Sequence, residues 1–421
     1  MNIILRTIFL IVPLAFLMSA CQHSSRRIEN TNNGLPGKFG PYSPFRIYPD
    51  KHRRPYGISV DGKYVANSVY TSFRVSYSSY KSAERAQKSN EKRGSTCTKV
   101  DSYKGPYLLK GIMRYQLVHF KNDVMVSRQH GGDVVSRLKG HCYVLTQLVF
   151  SPDNEILASA GTDSIIYFWN WKNGIRKSEF GVRDISYPRI KVNALKFSSD
   201  SEKMIAHFSN NNVVIINPRT GKYMYGVDKY KYHREKLTKK KYQQRLSNKI
   251  ISVQFSANNK YLLIARVKEI GVFDGATGKF IRDLKVSNIK RVTDMVVDDN
   301  HNIMVVAAKS SDNTNLYVWD LNRLSLKKRV NEKRPVTSHL AITQDKKYIA
   351  TGGNDGSLRF YHVPEMSEVR RVKYAENRLG SQIKSMRFGA NYNLYFQAYT
   401  TLATIVNGEL ESYSKGTEGS K

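Results

Sequence analysis

The stretch Phe150-Ser151-Pro152-Asp153-Asn154 leads into Ile156-Leu157-Ala158 and then Ile165-Ile166-Tyr167-Phe168-Trp169. It reads as the end of one strand, a tight polar turn, and two further strands, because β-branched and aromatic runs are punctuated by Pro, Asp and Asn. The same frame returns downstream. Phe197-Ser198-Ser199-Asp200 precedes Met204-Ile205-Ala206 and then 213–216. Phe255-Ser256-Ala257-Asn258-Asn259 precedes 261–265 and then 270–273. Ile58, Val297, Ile342 and Phe388 occupy the Phe position in further copies, and the gaps from Phe150 onward are 47, 58, 42, 45 and 46 residues. From Ile58 to Phe150 the gap is 92, close to two units.

A period in the forties with about four short strands per unit is the signature of a β-propeller. A small antiparallel sheet has two apolar faces, so each unit stacks on a neighbour and the ring closes to leave none uncovered. The expectation is an all-β chain of seven four-stranded antiparallel blades, with eight as the alternative. The uncertainty lies in residues 78–137, which read either as an irregular second blade or as an insertion in the first. Closure is expected to pair a segment near Phe45-Arg46-Ile47-Tyr48 with the last blade, avoiding an open sheet edge. Asp61-Gly62, Asp153-Asn154 and Asn258-Asn259 supply first hairpin turns, and Thr220-Gly221-Lys222 and Thr277-Gly278-Lys279 recur after third strands.

One unit carries more. Gly140-His141 opens it, Ser159 lies in its second strand, Asp163 in the next turn, and Trp169-Asn170 ends the third strand. This resembles the WD-repeat propeller, over about 56–412. In that family the His, Ser, Asp and Trp form a buried hydrogen-bonded chain, which the resemblance implies for His141, Ser159, Asp163 and Trp169. Trp319-Asp320 keeps the WD dipeptide; Phe273-Asp274 and Phe360-Tyr361 take its place elsewhere, and Asp355 with Thr351 keeps part of the chain. The implied role is protein binding.

The N-terminus reads differently. Arg6 precedes an apolar run from Ile8 to Met18, too short to span a bilayer and suited to a secretory signal. Leu17-Met18-Ser19-Ala20-Cys21 resembles the lipobox of bacterial lipoproteins. That resemblance implies cleavage before Cys21 and lipidation of it; the competing reading is a plain secretory signal with an incidental Cys. Residues 1–20 are thus the expected signal, 21–54 a tether rich in Ser, Asn, Gly and Pro, 55–414 the propeller, and 415–421 a disordered tail. A lipid anchor would place the body on the periplasmic side of a membrane, and Gln22 after the Cys favours the outer one in a two-membrane source.

Of 421 residues, 40% are hydrophobic, which excludes wholesale disorder, and three cysteines exclude a disulfide scaffold. Cys97 and Cys142 are the candidate pair for one disulfide, with two separate buried thiols as the alternative. Cys-x-x-Cys, His-Glu-x-x-His, Gly-x-Ser-x-Gly and phosphate-loop motifs are missing, so neither enzyme activity nor a metal or cofactor is expected. His130-Gly131-Gly132 reads as a polar turn.

Lys and Arg number 68 against 34 Asp and Glu, a formal +34. Outside the cytoplasm this favours anionic lipid or an acidic envelope polymer over nucleic acid, which is not an expected partner. The basic residues concentrate in 228–247, where Lys229, Lys231, Arg234, Lys236, Lys239, Lys240, Lys241 and Arg245 stand against two acids, with Tyr230, Tyr232 and Tyr242 among them. This segment accounts for the 58-residue gap and is expected to project as a partner-binding element. The functional expectation is a membrane-anchored, extracytoplasmic scaffold. Its rivals are a scaffold lipoprotein of outer-membrane protein assembly, whose repeats look similar through their Thr-Gly-Lys turns, and a propeller enzyme such as a quinone-dependent dehydrogenase.

Overall fold

In blade after blade the second and third strands are continuous apolar runs and the fourth is polar. Leu262, Leu263, Ile264 and Ala265 are all fully buried, whereas Phe280–Lys285 in the same sheet is mostly exposed. Strand periodicity explains the first pattern: successive side chains leave opposite faces of a sheet. Leu262 and Ile264 pack on the preceding sheet, Leu263 and Ala265 on the following one. A strand covered on both faces needs no polar alternation.

The computed structural model describes 45–49, 56–77, four residues within 81–88, 98–104, 113–128, 133–141 and 144–405, except for 163, 182–189, 228–248, 287, 311–312, 333–336, 374–381, 390–391 and 399–400. Seven antiparallel sheets result. We number them blade 1 (56–141), blade 2 (145–181), blade 3 (192–227), blade 4 (250–285), blade 5 (291–332), blade 6 (337–373) and blade 7 (383–405 with Phe45–Pro49). The first strands of successive blades line the centre and the fourth strands form the rim. Core clusters lie between sheets rather than within them, one for each neighbouring pair. The cluster between blades 7 and 1 is Ile58 with Tyr395.

Closure is by chain exchange: Phe45–Pro49 pairs antiparallel with Thr401–Ile405, Phe45 opposite Ile405 and Pro49 opposite Thr401. The ring therefore draws in the end of the segment read as tether and satisfies the edge of the last sheet.

Blade 1 resolves the 78–137 question in favour of an insertion. Tyr64–Tyr77 pairs with Met113–Arg128 over fourteen positions, against five between Ile156–Gly161 and Ile165–Asn170 in blade 2. Val134–His141 covers the ring-proximal part of Met113–Arg128, and Thr98–Lys104 covers its far part, from Met113 to His119. The extra pairs make an arm about 25–30 Å long at roughly 3.3 Å per residue. Lys81, Glu84, Arg85 and Lys88, between two of its strands, are helical.

The Phe-Ser frame has a physical basis. Ser59, Ser151, Ser198, Ser256 and Thr343 each accept, on the side-chain oxygen, the backbone N–H that opens the second strand, at 2.8–3.0 Å. Four of these hydroxyls then donate to the Asp two residues on: Asp61, Asp153, Asp200 and Asp345. Blade 5 uses Asp298 instead, whose carboxylate accepts the Asn300 N–H and bonds His301 Nδ1 at 2.6 Å. The Asp of the WD dipeptide caps the next hairpin. Asp274 accepts from the Ala276 and Thr277 N–H groups, Asp320 from those of Asn322 and Arg323. Gly221 and Gly278 lie at φ near +70°, which the Thr-Gly-Lys turns require.

Candidate binding surfaces

His141 ends the last strand of blade 1, where it pairs with Asn122, yet its ring reaches into blade 2. Its Nε2 lies 2.7 Å from Ser159 Oγ, and Trp169 Nε1 donates to the same oxygen at 2.7 Å. All three residues are buried, and the His141 ring also packs on Tyr167 at 4.5 Å between centroids. Gly140 is small because Trp169 lies against it: a Cβ there would be 3.3 Å from the indole. The chain is a clasp across the seam between two blades. Asp163, its fourth expected member, lies outside the described residues.

Blade 6 carries a second clasp that sequence reading missed. Glu332 ends the last strand of blade 5 and is 1% exposed. Its carboxylate accepts from Thr351 Oγ1 at 2.9 Å, from Tyr361 Oη at 2.8 Å and from Thr337 Oγ1. Burial, reinforced by the Glu332 charge and hydrogen bond, pushes the Tyr361 phenol far above its ordinary pKa. Glu332, Thr351 and Tyr361 take the places of His141, Ser159 and Trp169. The spacing was the available signal: Thr351 to Tyr361 is ten residues, like Ser159 to Trp169, and Glu332 precedes Thr351 by nineteen where His141 precedes Ser159 by eighteen. Asp355, read as part of a WD chain, instead caps its own turn through the Ser357 N–H at 3.0 Å. In blade 5, Trp319 Nε1 is buried with no hydrogen-bond partner, since Val306 stands at the register position that Ser159 and Thr351 hold in blades 2 and 6.

The central channel brings together residues from four blades. Lys196 and Arg387 precede Phe197 and Phe388 at matching places on the first strands of blades 3 and 7; Asp294 and His339 match on blades 5 and 6. Asp294 Oδ2 accepts the Leu340 N–H at 3.0 Å and faces His339 Nδ1 at 3.7 Å. Burial alone would raise the Asp294 pKa, but His339, the Leu340 N–H and Lys196 together hold it below the usual carboxylate range. Burial, then the Arg387 charge, pushes the Lys196 ammonium below its ordinary pKa.

All first strands run one way, so the disc has two unlike faces. On one, the turn face, lie the hairpins joining first to second and third to fourth strands. On the other, the link face, lie the second-to-third hairpins and the links between blades. The arm of blade 1 is an overgrown second-to-third hairpin, so it leaves from the link face. Residues 228–248 connect Tyr223–Val227 to Ile250–Phe255, so they leave from and return to that face too. A cleft of about 440 Å³ opens there between blades 4 and 5, lined by Lys268, Val286, Asn288, Ile289, Lys290 and Ser310.

Cys21, Cys97, Cys142 and the eight basic residues from Lys229 to Arg245 lie outside the described residues. Among the described residues no group of three or more His, Cys, Asp or Glu could hold a metal ion, and no helix is long and apolar enough to cross a membrane.

The WD domain, G-beta repeat family matches residues 132–170 and 329–362. Each match takes in the end of the last strand of one blade and closes with the third strand of the next, so each contains one clasp. The chain is 21% identical over 150 residues to the WD repeat-containing protein 91 homolog of Dictyostelium discoideum. That alignment covers 35% of this chain and 19% of the relative, so the chain spans about a fifth of the curated relative it matches. Among solved structures, the β-propeller domain of Myceliophteria thermophila Cps50 (Swd1) is similar, with a TM-score of 0.53 and 14% identity over 68% of this chain and 93% of that one. The computationally designed Ika8 protein gives 0.49 and 19% over 68% and 80%. The clasps, the repeat matches and the shared fold together identify a seven-bladed β-propeller carrying WD-type repeats.

Proposed function

We propose that this protein is a lipid-anchored, extracytoplasmic scaffold that holds a protein partner on its link face. The observation that carries the reading is topological. Turn-face hairpins keep to the short repeat, while the two large departures from it, the blade 1 arm and 228–248, both belong to the link face. A rigid ring that elaborates one face presents a binding surface there. The +6 net charge of 228–247, with its three tyrosines, suits an acidic protein surface. Anchoring rests on the lipobox-like sequence ending in Cys21.

Two substitutions test the two halves separately. Cys21→Ser is expected to release the protein from membranes after a high-salt wash; unchanged retention would remove the anchor. The wash matters because so basic a chain adheres to anionic lipid without acylation. Replacing 228–247 with a short Gly-Ser loop is expected to leave the melting temperature unchanged and to remove the main adduct found by crosslinking in intact cells. An unaltered adduct would remove the partner site.

A further inference from the structure

We propose that the turn-face rim of blades 1–5 rests on an anionic membrane surface, so that the disc lies with its link face pointing away from the bilayer. The inference deepens the anchored-scaffold reading and rests on it for orientation.

Three observations converge. The first is where the N-terminal chain joins the ring. Phe45–Pro49 runs antiparallel to Thr401–Ile405, a third strand, and Phe45 stands opposite Ile405 at that strand's turn-face end. The segment that begins at Cys21 therefore meets the disc on the turn face, opposite the arm.

The second is the placement of exposed apolar side chains. Nine large ones are exposed among the described residues, and eight are the first or second residue of a fourth strand. Val134, Ile175, Tyr223, Phe280 and Leu326 represent blades 1 to 5 in order. Each follows a turn-face hairpin, so they form one level along the rim. Isolated exposed apolar residues need no explanation, but a row at one level over five consecutive blades does.

The third is charge. The fourth strands of blades 2 to 5 expose seven Lys or Arg against one exposed acid, Glu179. Turn-face carboxylates are largely committed: Asp153, Asp200, Asp274 and Asp345 accept from hydroxyls, and Arg219 spans Asp153, Glu155 and Glu202. Apolar side chains beside cations are what an interfacial surface needs: the former enter the headgroup boundary, and the latter meet anionic lipid.

The test uses the chain beginning at Gln22, which retains every strand of the ring and carries no lipid, so its result is independent of Cys21 acylation. It is expected to co-sediment with phosphatidylethanolamine–phosphatidylglycerol vesicles at low salt and not with phosphatidylcholine. Tyr223→Ser, Phe280→Ser and Ile281→Ser together are expected to weaken this about tenfold with no change in melting temperature, and Lys327→Glu with Lys328→Glu serves if that variant does not fold. Face is read by fluorescence: Phe280→Trp is expected to be quenched by brominated lipid, and Val144→Trp, on the link face, is not. The inference is overturned by absent or charge-independent vesicle binding, by binding unchanged in the variants, or by quenching at Val144→Trp instead. It is also overturned if a dimer forms in solution and Phe280→Ser abolishes it, since a second copy would then cover the rim.

Discussion

Removing one oxygen atom gives the sharpest test of the seam between blades 1 and 2. Ser159 Oγ is the only group the clasp shares: Trp169 Nε1 and His141 Nε2 both bond it at 2.7 Å, and Ser159 is fully buried. Ser159→Ala leaves the indole N–H without its acceptor and deprives the imidazole of this bond, while barely changing volume. A buried polar group that loses its partner costs about 1–3 kcal/mol, so two affected groups give about 2–6 kcal/mol. The ring spans roughly 360 residues, and at about 2.1 cal/mol/K per residue its unfolding entropy is about 0.75 kcal/mol/K. The melting temperature should then fall by about 3–8 °C in scanning calorimetry. In a Trp169→Phe, His141→Phe background the same Ser159→Ala change should cost almost nothing, because no partner remains to be orphaned. A melting temperature unchanged in the first comparison, or an equal drop in both, would refute the reasoning.

Glu332→Gln in the blade 6 clasp should cost about 1.5–3 kcal/mol in urea unfolding, because charge-assisted bonds from Thr337, Thr351 and Tyr361 all end on that carboxylate; a neutral result would show the carboxylate to be replaceable. Burial depresses the His207 pKa from 6.5 to about 4. The unfolded chain therefore binds the extra proton first, and stability present above pH 6.5 should be lost as pH falls toward 4, by about 3 kcal/mol. His207→Leu should flatten that limb of the stability–pH curve, and an unchanged limb would place the titration elsewhere. Gly275→Ala would put a Cβ 1.8 Å from the Asn259 carbonyl oxygen, and is expected to cost more than about 3 kcal/mol or prevent folding. Gly174→Ala, with nothing within 4 Å of the added Cβ, should cost only its left-handed backbone strain at φ +76°, about 1–2 kcal/mol.

What the sequence disclosed was local. Phe150-Ser151 and its copies stand out because a hydroxyl must sit where the second strand's first N–H arrives, and the Asp two residues on accepts that hydroxyl's hydrogen bond. The blade 2 clasp was readable because its residues keep the familiar types. Its blade 6 counterpart was not, since a carboxylate replaced the imidazole and a phenol the indole, while spacing alone was conserved between the two. Channel residues Lys196, Asp294, His339 and Arg387 share only a register on four different strands, so nothing along the chain links them. The blade 1 arm was legible only as one of two readings of 78–137, an insertion or an irregular blade, for the same reason. Its pairing joins Tyr77 to Tyr115 and Tyr64 to Arg128 across a long, motif-free interval, and only the assembled sheet distinguishes an arm from a blade.

The central claim is that the two faces of the disc have different occupants, and photo-crosslinking in intact cells tests it most directly. A photoreactive amino acid at Val75 in the arm is expected to give a discrete protein adduct, and one at Phe280 on the turn-face rim to give lipid adducts and no protein band. A discrete protein adduct from Phe280 with none from Val75 would contradict the account.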